Sequence, residues 1–185
     1  VNAMSQDQQA AMFTADDAYA GSATYTRLYD KLVEIFGLRH FLPAHQGRAA
    51  ENIISQVLVR PDTWIPMNYH FTTSKQHITV HGAEVLEYLI PEGLDVQSDH
   101  PFKGNFDVER LRTLIAEEGT DSISYVRLEA GTNLIGGQPF SLDNLEEVSA
   151  VCRENDLLLV LDASLLADNL YFMKEREERC RDMEI

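Results

Sequence analysis

The chain has 185 residues, enough for one ordinary domain with a real core, and 24% charged with 44% hydrophobic residues is a globular composition. Thirty acidic residues against fifteen basic ones leave a net charge of −15. That argues against a nucleic-acid or anionic-membrane partner, because phosphate contacts need clustered Lys and Arg.

In chain order, apolar periodicity alternates between two kinds of segment. Ser22 caps a helix carrying Tyr25, Leu28, Tyr29, Leu32, Val33 and Phe36, which Gly37 ends. A short strand, Phe41-Leu42, leads into the turn Pro43-Ala44-His45-Gln46-Gly47-Arg48, and a helix then places Ile53, Ile54, Val57 and Leu58 on one face. Short strands follow over Trp64 to Met67 and Val85 to Ile90. Asp107 to Glu118 has helical spacing, Ile123 to Leu128 reads as a strand, and Ser141 caps the next helix. Leu157 to Leu161 is the last strand, a final helix runs from about Ala167, and Lys174 to Ile185 continues as a charged helical pattern.

Strands separated by helices, themselves nearly continuous in apolar residues, predict an α/β domain: a mostly parallel sheet with helices on both faces. No internal repeat or low-complexity linker interrupts residues 1–185, which read as a single partial domain. Both ends look cut, and a piece of something longer is expected. No apolar run approaches a membrane span, and the start VNAMSQDQQ has neither a basic n-region nor an h-region. Cys152 and Cys180 lack metal or disulfide spacing and read as plain thiols in a reducing compartment, by default the cytoplasm.

In such folds ligands collect at the carboxyl ends of strands, so four strand-end features matter. Gln46-Gly47-Arg48 opens a helix, where free N–H groups and the dipole favour an anion; it is a phosphate cradle or an ordinary turn with a surface arginine. Phe71, in NYHFTT, is a platform for a flat ring or a core side chain beside a Thr73 cap. The glycine-rich loop GTNLIGGQP offers Asn133 to a ligand or is an irregular connection. Asp162 closes a buried strand in LLLVLDASLLADN, and such a carboxylate must be paired or hydrogen-bonded. It is a helix cap, a salt bridge or a charge aimed at a ligand. A phosphate site, an aromatic platform, a polar loop and a strand-end acid together are what a pyridoxal 5′-phosphate (PLP) pocket asks for.

AYAGSATY, FLPAHQGRAAEN, NYHFTTS, FKGNFD, NLIGGQPFSL and DASLLADNLYFMKERE also resemble, in that order, the tyrosine phenol-lyase and tryptophanase family. The resemblance implies PLP-dependent β-eliminating lyases on the aspartate-aminotransferase fold (PLP fold type I), here the large domain without its N-terminal arm, Schiff-base lysine segment and C-terminal domain. It implies that Gln46, Gly47 and Arg48 hold the phosphate, that Phe71 stacks on the ring, and that Asn133 and Asp162 bond its oxygen side and nitrogen. Tyr19 matches the acid catalyst near the leaving group. Asp17 stands where the family has a glutamate that helps bind a monovalent cation such as K⁺. Thr72 matches tyrosine phenol-lyases, where tryptophanases carry aspartate, and leans the leaving group toward phenol. A homotetramer, built as a dimer of dimers, is implied, with Tyr19 serving a neighbour's pocket.

Two departures stand out. Three residues after the acid the family has an arginine that bonds the cofactor's phenolic oxygen, and here the residue is Leu165. None of Lys31, Lys75, Lys103 and Lys174 occupies the motif of the Schiff-base lysine, which the resemblance puts beyond residue 185. The reading is therefore a lyase that splits an aromatic L-amino acid into phenol, pyruvate and ammonia. The alternatives are a tryptophanase or another PLP-dependent amino-acid lyase, and a diverged or truncated homologue without activity.

Overall fold

The computed structural model describes residues 4–183, so the last two residues of the charged C-terminal pattern lie outside the described residues. The chain divides into two compact units, Val1–Ala44 and His45–Ile185.

The first unit carries helices α1 (Gln6–Phe13) and α2 (Ala23–Phe36), neither with a buried residue. Ser5 and Gln8 close a capping box on α1, a helix that QDQQAAMF, four polar residues followed by four apolar ones, does not announce by periodicity. Ser22 Oγ caps α2 by accepting from the Tyr25 N–H at 3.1 Å, and Gly37 ends it at φ 65°, both as expected. Asp16 accepts from Thr24, Ala23 and Ser22 ahead of α2, and these bonds, the Thr24 hydroxyl's first, hold its carboxyl far below the usual range. The expected strand at Phe41-Leu42 does not form. Two apolar residues find no strand to pair with, and the Phe41 ring rests against Tyr25 at 6.2 Å between centroids.

The second unit is an α/β layer structure. Its elements are α3 (Gly47–Leu58), β1 (Trp64–Met67), α4 (Thr72–Val80), β2 (Glu84–Glu87), α5 (Val108–Glu118), β3 (Val126–Glu129), α6 (Leu142–Glu154), β4 (Leu159–Asp162) and α7 (Leu166–Arg176). The four strands form one sheet in the order β2-β1-β3-β4, every neighbouring pair parallel, with the crossover helices the alternation predicts. Strand ends move by a few residues from the expected ones. Leu89 leaves the sheet for an antiparallel bridge with Phe106, so β2 stops at Glu87, while Ile123 contributes only a single bridge to Trp64.

Because side chains alternate across a strand, the sheet has two differently filled faces. Val126 and Leu128 point into a large core with Leu111, Phe140, Val148, Val151 and Met173, contributed by the α5, α6 and α7 side. Ile65, Met67 and Tyr125 point the other way and pack with Ile78 of α4 and Ile54 and Leu58 of α3. Ser141 Oγ caps α6 by accepting from the Asn144 N–H at 3.1 Å, as expected. Cys152 and Cys180 are free and buried, and burial pushes the Cys152 thiol up to about 11. Among the described residues no helix is long and apolar enough to cross a membrane.

Candidate functional site

The strand order sets the position of the site. From β1 the chain steps to one side for β2, then returns past β1 for β3 and β4 on the other side, so the connections diverge at the β1–β3 boundary. That boundary is a topological switch point, where the loops at the carboxyl ends part and leave a crevice. Asn68, wholly buried just after β1, ties the two ends together. Its Nδ2 donates to the Glu129 and Gly104 carbonyls at 3.0 Å, and its Oδ1 accepts from the Glu129 N–H at 3.0 Å.

Beside this crevice, on the α3 face of the sheet, lies a cavity of about 510 Å³, within the roughly 300–1,000 Å³ typical of small-molecule sites. Its floor is made by alternate residues of β3 and β4. Tyr125, Arg127 and Glu129 share one face, and Val160 and Asp162 share the corresponding face of the next strand, with Glu129 opposite Asp162. Its walls are the start of α3, the β1–α4 connection with Phe71, and the loops after β3 and β4.

The start of α3 suits an anion. Gln46 makes no side-chain cap, so the first N–H groups are not taken by a capping side chain, and Arg48 adds a cation. A Cβ added at Gly47 would meet nothing within 4 Å, so protein packing leaves that approach open. Phe71 is half-buried and lines the wall just before α4. Its N–H donates to Ser74 Oγ at 3.2 Å, and Ser74 Oγ donates back to the Phe71 carbonyl, which fixes the connection. Asn133 is exposed at the rim, in the loop after β3. Buried Asn169 of α7 pins that loop by accepting from Gly131 N–H at 2.9 Å and Phe140 N–H at 3.1 Å.

The floor holds a buried charge triad. Arg127 and Glu129 are each 4% exposed, and Arg127 Nη1 lies 3.1 Å from Glu129 Oε2 while Nη2 bonds Asp162 Oδ2. Asp162 Oδ1 accepts from the Ser164 N–H at 2.9 Å and the Ser164 hydroxyl at 2.6 Å. Burial pushes the Asp162 carboxyl up, but the Arg127 guanidinium and the Ser164 bonds outweigh it and hold the group below its usual range. Glu129 goes the other way: burial raises it despite the Asn133 N–H it accepts at 2.9 Å and the cation beside it. Of the three readings of Asp162, the helix cap is excluded, since α7 begins after Leu165 with no side-chain cap. The salt bridge is present, and the same carboxylate also lines the cavity.

Gln46, Gly47, Arg48, Phe71, Asn133 and Asp162 thus line one cavity. Thr72 does not. It is the exposed first residue of α4, and Thr73 lines the cavity instead, donating to Glu51 Oε2 of α3 at 2.6 Å. Tyr19 and Asp17 are exposed residues of the first unit, whereas the cavity is lined by residues of the second. Among the described residues no cluster of three or more His, Cys, Asp or Glu is arranged to hold a metal ion, and no lysine lines the cavity. Sequence reasoning missed Arg127 and Glu129. The signal was there: two charges at i, i+2 in SYVRLEAG place like-facing polar groups inside a strand read as apolar. Leu165 lines the cavity over Gly131, whose φ is 62° and where an added Cβ would come within 2.8 Å of the Leu165 Cβ. The donor set fits a planar heteroaromatic ligand that carries a compact anion and a nitrogen for the acid.

Residues 1–183 match the model of the beta-eliminating lyase family. The chain is 42% identical over 184 residues to a tyrosine phenol-lyase of Pasteurella multocida, covering 100% of this chain and 40% of that one. It is 40% identical over 184 residues to a tryptophanase of Salinibacter ruber, covering 100% of this chain and 39% of that one. It therefore spans about two-fifths of the length of these relatives. Among solved structures, the PLP-bound C-S lyase of Staphylococcus hominis in its external aldimine form superposes with a TM-score of 0.57 at 15% identity, over 80% of this chain and 35% of that one. The aspartate aminotransferase of Thermus thermophilus with maleate gives 0.56 at 20% identity, over 84% and 39%. The fold is that of PLP fold type I.

Proposed function

The chain belongs to the beta-eliminating lyase family, and on that footing we propose that it is the cofactor-binding part of a PLP-dependent carbon–carbon lyase. The substrate is an aromatic L-amino acid, cleaved as by a tyrosine phenol-lyase to phenol, pyruvate and ammonia. The observation that carries this reading is the gathering of the uncapped α3 start, Phe71, Asn133 and Asp162 around one cavity at the switch point of the sheet.

When bound, the cofactor supplies an electron sink for the bond pair left on the substrate's α-carbon. The N–H groups of Gly47 and Arg48, with the Arg48 guanidinium, hold the phosphate. Phe71 covers one face of the ring and keeps water from it, and Asn133 donates to its oxygen side. Asp162, ionised and fixed by its neighbours, keeps a proton on the ring nitrogen. Tyr19 protonates the leaving group, in the pocket of a neighbouring copy of a cytoplasmic homo-oligomer, and Asp17 contributes to a monovalent-cation site. These two roles, and the preference for phenol read from Thr72, rest on family likeness rather than on the cavity. Relatives bearing either name are nearly equally similar, so Thr72 carries the choice between them.

The test is release of pyruvate by the full-length protein with PLP, given L-tyrosine or L-tryptophan in parallel. Faster release from L-tyrosine is expected, and no pyruvate from either overturns the activity. Leu165, where the family has a cation, favours a second reading in which the site binds the cofactor without this chemistry. A borohydride-reducible absorbance band with no pyruvate from any amino acid would identify that case.

A further inference from the structure

The floor of the cavity contains one cation between two acids, and the cation comes from within β3, where the expected site has none. Arg127 projects from β3, two residues before Glu129 on the same face, toward the end of β4 where Asp162 stands opposite Glu129. Counting acceptor sites narrows what the acid can still do. A carboxylate has about four lone-pair sites. Asp162 Oδ1 takes two donors, both from Ser164, and Oδ2 takes one, from Arg127 Nη2. The remaining site is on Oδ2, beside the guanidinium.

We propose that Arg127 is a positioning residue for the acid of this pocket: its guanidinium fixes Asp162, Glu129 fixes the guanidinium, and a ring nitrogen entering the cavity shares Oδ2 with Arg127. The inference rests on the cofactor reading of the cavity and deepens it. It also gives the absence of a cation at Leu165 a counterpart, since the pocket takes its buried cation from the sheet rather than from the loop after β4. A fork of five N–H donors suits this place, because it reaches two carboxylates at once and stays charged when buried. The other charged or titratable groups lining the cavity are Arg48 and Glu51 of α3 and Tyr125 next to β3. The Glu51 carboxylate is engaged by Thr73, and Arg48 stands at the anion end, so neither replaces Arg127 beside Asp162.

The experiment is a pH titration of the cofactor-free full-length protein, labelled with ¹³C at the aspartate side-chain carboxyls and followed by NMR, with Asp162 assigned from its Asp162→Asn variant. In the wild type Asp162 titrates below the ordinary aspartate range. In Arg127→Met its midpoint rises by about one unit or more, a tenfold gain in proton affinity, and PLP binding followed by fluorescence quenching weakens by a similar factor. Arg127→Lys keeps the charge but not the fork, so its midpoint falls between the two; it carries the test if Arg127→Met does not fold. An unchanged Asp162 midpoint in both variants overturns the proposal, as does PLP binding with unaltered affinity and pH dependence. A shifted midpoint in a protein that binds no PLP supports the role of Arg127 on the acid and overturns the cofactor reading instead.

Discussion

Arg127 shows how much one side chain decides here. Removing one partner of a buried ion pair costs about 3–5 kcal/mol, because the other partner is left uncompensated. Arg127 has two partners, so Arg127→Met is expected to lose at least that much in urea unfolding, whereas Leu165→Met, a near volume-conserving change at the rim, costs less than about 1.5 kcal/mol. Equal losses would show that the triad does not hold the cavity floor together. The acids give a pH signature whose sign follows from their shifts. Asp162 is depressed in the fold, so its share of stability is present above the ordinary carboxylate range and is lost as pH falls through its lowered value. Glu129 is raised, so its ionised form works against folding at neutral pH, and its protonation on acidification relieves part of that loss. The stability gap between wild type and Asp162→Asn, read from urea midpoints, should therefore narrow as pH is lowered from 7 toward 3. A gap that stays constant contradicts the depressed value. Neither effect could be read from SYVRLEAG alone, because a strand's periodicity says which residues share a face but not which acid from another strand meets them.

Among the elements, helix ends were the most legible. Ser22, Gly37 and Ser141 cap their helices as their chemistry predicts, and Asp107, expected as the first residue of its helix, is its N-cap. The elements with weak signals read least well: α1 has no apolar face, its apolar residues falling together at Ala10 to Phe13, and α4, expected only as a helix behind a Thr73 cap, begins instead at Thr72 and buries only Ser74 and Ile78. Phe41-Leu42 had the opposite fault, an apolar pair with no ladder to join. Two glycines at the site separate structural from functional demands. Gly131 sits at φ 62° under Leu165, and Gly131→Ala should destabilise by about 1–2 kcal/mol from the left-handed backbone alone, with the close Leu165 contact added. Gly47 begins α3 with open space at its Cβ position, so Gly47→Ala should leave stability within about 1 kcal/mol of wild type. It should nevertheless weaken PLP binding, because the methyl enters the approach that the phosphate needs. Thermal unfolding and PLP titration of both variants check the contrast. A Gly47→Ala protein that binds PLP as wild type does would move the anion away from α3.

At the scale of the molecule, the alternation of strands and helices was enough to name a parallel α/β sheet, and ligand placement at its strand ends followed from that class. The strand order β2-β1-β3-β4 was not available from the sequence, and it is the order that puts β1 and β3 at the switch point and aligns Glu129 with Asp162. Six of the eight residues expected to bind cofactor or act in catalysis share the cavity, while Thr72 does not line it and Tyr19 belongs to the first unit. The central claim is that this cavity holds PLP through the α3 start and the Arg127-fixed acid. Its most direct test is equilibrium titration of the full-length protein with PLP, read by fluorescence quenching, with inorganic phosphate as competitor and Asp162→Ala as control. One saturable site per chain is expected, displaced by phosphate and weakened at least tenfold by Asp162→Ala. Binding that neither saturates nor responds to phosphate or to the loss of Asp162 would contradict it.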